Sequence, residues 1–149
     1  MPASTRPLGS VEPFLWTEDL AVGLPELDRQ HQTLFEHANA FLAAARSGDP
    51  QRVVGETLDF LRKYVAHHFS HEESYMRRIG YPGIEAHAAA HRALTRHLEG
   101  VVALFAAQGP TAPTVLASMG LLRGWLLDHV ADEDRAIGTY ARSTPDGPP

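Results

Sequence analysis

The sequence predicts an all-α fold, an antiparallel up-down-up-down four-helix bundle. Within four long segments, apolar residues recur every three or four positions, as on the buried face of an amphipathic helix. Nothing in these segments alternates with a period of two, which is the pattern of a half-buried strand. Short connections rich in proline and glycine separate the segments, and such connections favour antiparallel neighbours. With 149 residues, of which 44% are hydrophobic, we expect one domain with a substantial core.

The breaks define the predicted helices in chain order. They fall at Ser47–Pro50, Gly80–Gly83 and Gly109–Pro113, and each combines a helix stop with a helix start. The helices then cover residues 25–46, 51–78, 83–107 and 113–140. We expect a single domain over residues 1–142, with an extended N-terminal arm before the first helix. Residues 143–149 are predicted to be a disordered tail.

Composition excludes several classes of protein. The chain has no cysteine, which excludes disulfide scaffolds, thiol catalysis and cysteine-ligated metal sites. Its net charge is −5 without a basic run, which argues against a nucleic-acid partner. The longest apolar run, Val101–Ala107, is too short to cross a bilayer, and Met1–Phe14 lacks the apolar core of a secretory signal. We therefore expect a cytoplasmic protein with no membrane partner, and a bundle of this size can serve as a monomer.

Histidine or carboxylate interrupts the apolar face of every predicted helix. The chain has nine histidines, and a single buried histidine is usually a hydrogen-bonded core residue. Here several coincide, namely His31 in the first segment, His68 and Glu72 in the second, His87 and His91 in the third, and His129 in the fourth. An up-down bundle places them, with Asp134, roughly 6–16 Å from the same end. A metal site explains this shared level better than scattered core histidines do.

Ligand chemistry narrows the kind of metal. Imidazole and carboxylate without thiolate suit iron, zinc, copper or manganese. One zinc ion takes about four ligands, so this larger set of candidates indicates two metal ions. No glutamate in the chain has a histidine three residues later. That disfavours the ferritin-like carboxylate sites, which are built on this spacing.

Four stretches of the sequence match the metal-binding segments of a known family. They are Trp16 through Val22-Gly23 to Leu27–His31, His68–Glu73, His87–His91, and Trp125–Val130 with Asp134. Over nearly all of Trp16–Tyr140, the sequence resembles the hemerythrin family, in particular the bacterial single-domain hemerythrins. The resemblance implies the same four-helix bundle, a non-haem di-iron centre, and dioxygen as the ligand.

Carried over by motif position, the resemblance also implies a ligand set. One iron is bound by His87, His91 and His129, the other by His31 and His68, and both by Glu72 and Asp134. An oxo or hydroxo bridge from solvent joins the two irons. The family binds dioxygen at the open coordination position, which belongs to the iron with two histidines. Leu126 matches a position near this opening, and Phe35 and Trp125 are candidates for the pocket wall, with plain core packing as the alternative.

Two assignments stay open from the residues alone. Asp134 lies five residues after His129, about 140° around a regular helix, whereas Glu133 lies four after it. The family match selects Asp134, which requires a local widening such as a π-turn, with Glu133 as the alternative. His67 and His71 form a further pair four residues apart. We expect them to be solvated surface histidines, with a pH-sensitive or secondary metal role as the alternative.

The leading functional prediction is a non-catalytic di-iron protein that carries, stores or scavenges dioxygen. The alternative is an enzyme or sensor in which the same centre acts on peroxide or nitric oxide, and an acid–base residue beside the open position would favour turnover. A third hypothesis is a dinuclear zinc or manganese hydrolase. It calls for a basic cleft that binds an anionic substrate, and the sequence contains no sign of one.

Overall fold

The computed structural model describes residues 13–143, which form four long helical segments and no strand. The segments, in chain order, are α1 (Pro25–Arg46), α2 (Val54–Arg78), α3 (Ile84–Gln108) and a composite fourth helix. The fourth helix is α4 (Ala112–Arg123), a π-helical stretch (Gly124–Asp134) and α5 (Arg135–Ser143) without interruption. The predicted all-α four-helix bundle is confirmed.

The ends of the helices follow the breaks in the sequence. Gly80 follows α2 and Gly109 follows α3, each close behind the last turn and each with φ of 68°. That left-handed conformation costs glycine nothing, because it has no Cβ. α2 begins at Val54 rather than at the predicted residue 51, since Pro50–Arg52 forms a separate 3-10 turn.

Contacts at the two ends of the bundle show that successive helices run antiparallel. At one end, the Tyr75 hydroxyl in the last turns of α2 donates to the Val22 carbonyl just before α1, at 3.0 Å. Tyr140 in α5 reaches the Gly80 carbonyl after α2, at 3.1 Å. At the opposite end, Gly55 at the start of α2 faces the ring of Phe105 near the end of α3. Helix starts and helix ends therefore meet at each end, as the up-down order requires.

Buried apolar side chains form two clusters of unequal size. The larger fills most of the bundle and contains Leu34, Leu61, Leu98 and Trp125 among others. The smaller covers one end and consists of Val22, Leu27, Tyr75, Met76 and Ile137. Along α1, Leu27 belongs to the small cluster and Leu34 to the large one, with buried His31 between them. A polar layer thus separates the two apolar clusters.

The chain before α1 packs against the bundle. The Phe14 backbone N–H donates to the Asn39 side chain of α1, which donates back to the Phe14 carbonyl, each at 2.8 Å. The rest of the predicted arm, residues 1–12, lies outside the described residues. So does the predicted tail, apart from Ser143, which is the last residue of α5. Within the described part of the chain, no helix combines the length and the apolarity that a membrane span requires.

Candidate metal centre

The predicted ligands all lie in the polar layer between the two apolar clusters. Each has no more than 4% of its surface exposed. Together they define the His/carboxylate cluster, which consists of His31, His68, Glu72, His87, His91, His129 and Asp134. Burying so many ionisable groups in one layer costs free energy unless something satisfies them.

Regular α-helix is enough to place most of these side chains. On α2, His68 and Glu72 are four residues apart, and on α3 so are His87 and His91. Residues at this spacing lie on the same face, one turn above the other. His31 projects from α1, where it comes within 2.9 Å of His68, measured between the two Nε2 atoms.

The fourth helix places its two ligands differently. The wider turn of the π-helical stretch Gly124–Asp134 brings Asp134, five residues after His129, to the same side. Its Oδ1 lies 3.1 Å from His129 Nε2. The Glu133 side chain is instead 45% exposed and accepts a hydrogen bond from His129 Nδ1 at 3.0 Å. The structure therefore contains the widening that Asp134 requires, and it places Asp134 rather than Glu133 in the cluster.

Glu72 directs its two oxygens to different histidines. Oε1 lies 2.9 Å from His87 Nε2 and 3.0 Å from His91 Nε2. Oε2 lies 3.3 Å from His31 Nε2 and 3.4 Å from His68 Nε2. One carboxylate therefore faces two sets of imidazoles at once.

Asp134 divides its oxygens in the same way. Oδ1 lies 2.8 Å from His87 Nε2 and Oδ2 lies 3.1 Å from His31 Nε2. The donors consequently form two overlapping groups whose atoms lie within 4.8 Å of one another. The three-histidine group is Glu72, His87, His91, His129 and Asp134, and the two-histidine group is His31, His68, Glu72 and Asp134.

The arrangement of the donor atoms suits the binding of two metal ions better than it suits hydrogen bonding among the side chains. Glu72 Oε2, His129 Nε2 and both Asp134 oxygens are buried without a well-oriented hydrogen bond, although ring nitrogens lie within 3.4 Å of these oxygens. Buried polar atoms of native proteins nearly always have a partner. Here nitrogens and oxygens face one another without hydrogen-bond geometry. They converge on common positions, as the ligands of a metal ion do.

Outer side chains orient the imidazoles of the cluster. His91 Nδ1 donates to Glu73 at 2.7 Å, and His68 Nδ1 lies 2.7 Å from Gln30 Oε1. With Glu133 on His129, these partners hold the proton on Nδ1, so that each Nε2 lone pair points inward. The sequence pattern did not indicate a role for Gln30 or Glu73, although both lie inside the matching motifs and next to a cluster residue.

In the chain without metal, protons balance the buried carboxylates. Burial lowers the pKa of His31, but the charge and hydrogen bonds of Asp134 and Glu72 outweigh it and raise that pKa to about 10. The same opposing effects raise the pKa of His87 to about 10. Burial raises the pKa of Glu72, but hydrogen bonds from histidines hold it well below its usual value. Two imidazolium groups thus face two carboxylates where metal ions could lie.

The predicted pocket residues are buried beside the cluster. Trp125 packs 5.5 Å from the Phe69 ring, and Phe69 stacks on His91 at 3.9 Å. Phe35 meets Trp16 edge to face at 5.8 Å. Phe35, Trp125 and Leu126 all belong to the larger apolar cluster. Core packing explains this burial as well, so their role in a ligand pocket stays a prediction.

The second histidine pair lies outside the cluster. His67 is exposed, and the His71 side chain is 33% exposed, with its Nε2 3.9 Å from Glu26 Oε2. The structure places both on the surface, as expected.

The sequence is similar to those of known proteins over most of its length. Residues 22–141 match the family described as Hemerythrin HHE cation binding domain. A bacteriohemerythrin of Stenotrophomonas maltophilia is 31% identical over 130 residues, which cover 87% of this chain and 82% of that protein. A bacteriohemerythrin of Methylococcus capsulatus is 32% identical over 74% of this chain and 82% of its own length. A myohemerythrin of Theromyzon tessulatum is 28% identical over 83% and 89%. By the span of this match and the cluster it encloses, the chain belongs to the hemerythrin family.

Proposed function

We propose that this chain is a non-haem di-iron protein that binds dioxygen reversibly as a carrier, store or scavenger. One observation supports this above others, the division of the buried donors into two groups that share Glu72 and Asp134. Imidazole and carboxylate ligands also suit zinc and manganese. Membership of the hemerythrin family is what favours iron.

In this proposal each histidine group holds one iron. His87, His91 and His129 would bind the first, His31 and His68 would bind the second, and Glu72 and Asp134 would bind both. Each shared carboxylate directs one oxygen to each group. The two-histidine group has one protein ligand fewer, so a metal ion held there would have room for an external ligand.

When bound, the two ferrous ions supply the electrons that dioxygen binding draws on. The chain itself orients the imidazoles through Glu73, Gln30 and Glu133. Buried apolar side chains, with Phe35, Trp125 and Leu126 as the proposed wall, exclude water from the ligand. A ligand set rich in neutral imidazole brings less negative charge than one rich in carboxylate, which favours binding over irreversible oxidation. We infer a binding role rather than a catalytic one.

The alternative is a di-iron enzyme or sensor that acts on peroxide or nitric oxide. A specific observation favours it, the buried Tyr64 hydroxyl without a partner beside His68, because turnover needs an acid–base group near the ligand. A hydrolase receives less support. The open groove of about 560 Å³ between α2 and α3 contains Arg92 and Arg96, but it reaches His91 beside Glu73, away from the two-histidine group.

Anaerobic reduction followed by dioxygen addition tests the proposal. We expect two irons per chain and an optical band of the oxygenated form that disappears under vacuum and returns with oxygen. A band that never forms, or that decays at once to a stable oxidised state, would indicate an oxidase, peroxidase or sensor. A chain that takes up no iron would overturn the metal assignment.

Alanine variants test the ligand set. His68→Ala and Glu72→Ala each remove a donor from the two-histidine group and should abolish loading of the iron pair. Full iron content in both variants would refute the assignment. A control is His67→Ala, which changes an exposed histidine beside His68 and should leave iron content unchanged. The monomeric state, the absence of other partners and the cytoplasmic location stay predictions.

A further inference from the structure

Tyr64 is a buried tyrosine whose hydroxyl has no hydrogen-bond partner in the structure. The residue has 8% of its surface exposed, and the hydroxyl oxygen is inaccessible to water. Leaving such a group unpaired costs free energy, and an unpaired group in a native protein therefore points to a missing ligand or water. By contrast Tyr75, on the same helix, satisfies its hydroxyl with the Val22 carbonyl at 3.0 Å.

The Tyr64 side chain points along the His68 imidazole. The residues are four apart on α2, and their rings stack with centroids 4.5 Å apart and an interplanar angle of 25°. Trp125, one of the proposed pocket residues, packs edge-on against the phenol ring, with ring centroids 5.9 Å apart. The Tyr64 hydroxyl is buried, and it lies near enough to Glu72 and Asp134 to interact with their charges.

Among the described residues, none accepts a hydrogen bond from the Tyr64 hydroxyl. A phenol is protonated at neutral pH. The oxygens of Glu72 and Asp134 face imidazoles instead of the phenol. The hydroxyl is thus a ready donor at the side of the cluster that has one protein ligand fewer.

We infer that Tyr64 donates a hydrogen bond to the ligand bound on the His31–His68 side of the metal centre. The inference rests on the proposed function, since it needs a metal there. The donor selects ligands that are anionic or that accumulate negative charge on the atom next to the metal, because a hydrogen bond to a charged acceptor is stronger than one to a neutral acceptor. The spacing of apolar residues in the sequence did not indicate a role for Tyr64.

Azide binding to the oxidised, iron-loaded protein tests the inference without relying on oxygen chemistry. Azide is an anion with hydrogen-bond acceptors at both ends. Tyr64→Phe removes the hydroxyl and keeps the ring stacked on His68, so we expect unchanged iron content and an azide Kd raised about ten- to hundredfold. The infrared stretch of bound azide should shift between H₂O and D₂O in the unaltered protein and not in Tyr64→Phe.

Two further variants keep the test decisive. Tyr75→Phe is the same substitution on the same helix and should leave azide affinity unchanged. Trp16→Phe removes another donor near His31 that has no partner among the described residues, the indole Nε1. An unchanged azide Kd in Tyr64→Phe, or a loss in Trp16→Phe alone, overturns the inference while the iron count still supports the proposed function. If the unaltered protein takes up no iron, the proposed function fails and the inference fails with it.

Discussion

α2 and the fourth helix each contribute one histidine and one carboxylate to the cluster, but by different local geometry. On α2, His68 and Glu72 are four residues apart on a regular helix. On the fourth helix, His129 and Asp134 are five apart and require the π-helical stretch Gly124–Asp134. Both carboxylates nevertheless end fully buried, with one oxygen toward each histidine group.

The two helices also differ in where the neighbouring carboxylate, Glu73 or Glu133, makes its contact. On α2 the residue after Glu72, Glu73, contacts the outer nitrogen of His91 on the neighbouring helix. On the fourth helix the residue before Asp134, Glu133, contacts the outer nitrogen of His129 within its own helix. The wide turn therefore makes room for an inner and an outer carboxylate beside one histidine. Proximity in sequence to a ligand does not say which of the two roles a carboxylate takes.

Removing each carboxylate of the fourth helix in turn tests whether metal loading depends on Asp134 or on Glu133, and we expect this effect to be the largest. Asp134→Ala should abolish loading of the iron pair even though Glu133 remains at the spacing that a regular helix would use, because Glu133 faces solvent. Glu133→Ala should still bind two metal ions per chain. Metal content after loading and desalting measures both. Retention of two metals by Asp134→Ala would show that the π-helical placement is not needed.

Proton release on metal binding tests how Glu72 and Asp134, the carboxylates of the two helices, affect the protonation of neighbouring histidines. Their carboxylates hold His31 and His87 protonated, with the pKa of each raised to about 10, and both imidazoles must lose that proton to bind metal. Metal affinity should therefore rise with pH up to about pH 10, by roughly a hundredfold per pH unit near neutrality if two protons leave together. Calorimetry in buffers of different ionisation enthalpy counts the protons. Release of none at pH 7.5 would contradict the raised pKa values.

The outer carboxylates, Glu73 and Glu133, should have a smaller effect on metal affinity. Glu73→Ala and Glu133→Ala each remove an acceptor from an imidazole Nδ1, which should weaken metal affinity about 10–100-fold. We expect the larger loss for Glu73, whose side chain is 22% exposed against 45% for Glu133, because water replaces an exposed partner more easily. Competition against a chelator of known affinity gives both constants, and an equal or reversed order would contradict the role of burial.

Two glycines of the fourth helix give the smallest effects, and these have opposite signs. A Cβ at Gly138 in α5 would clash with the Ala21 carbonyl oxygen, whereas one at Gly120 in α4 would meet nothing within 4 Å. Gly138→Ala should lower the free energy of unfolding by about 1–3 kcal/mol. Gly120→Ala should raise it by about 0.5–1 kcal/mol, the usual gain for alanine over glycine within a helix. Denaturant unfolding of the metal-free variants separates the two, and stabilisation by Gly138→Ala would contradict the close approach.

Much of the site could be predicted because its spacing is local. The pairs on α2 and α3 follow from the periodicity of a regular helix, and the level of His31 follows from helix length and order alone. The sequence did not indicate Glu73 and Gln30, because each contacts a histidine of another helix, which no spacing within one segment expresses. For Tyr64, only the packing of α2 against Trp125 shows that the side chain lies inside the bundle.

The sequence by itself determined four helices, their order and a buried level of histidine and carboxylate, because apolar periodicity, helix-ending residues and rise per residue are properties of the chain. Only the tertiary structure decided that Asp134 lies inside and Glu133 outside, since this depends on hydrogen-bond register through the π-helical stretch. It also decided how each carboxylate divides its oxygens between two groups of histidines. That division requires four helices held in contact at once, and no single helix contains the information for it.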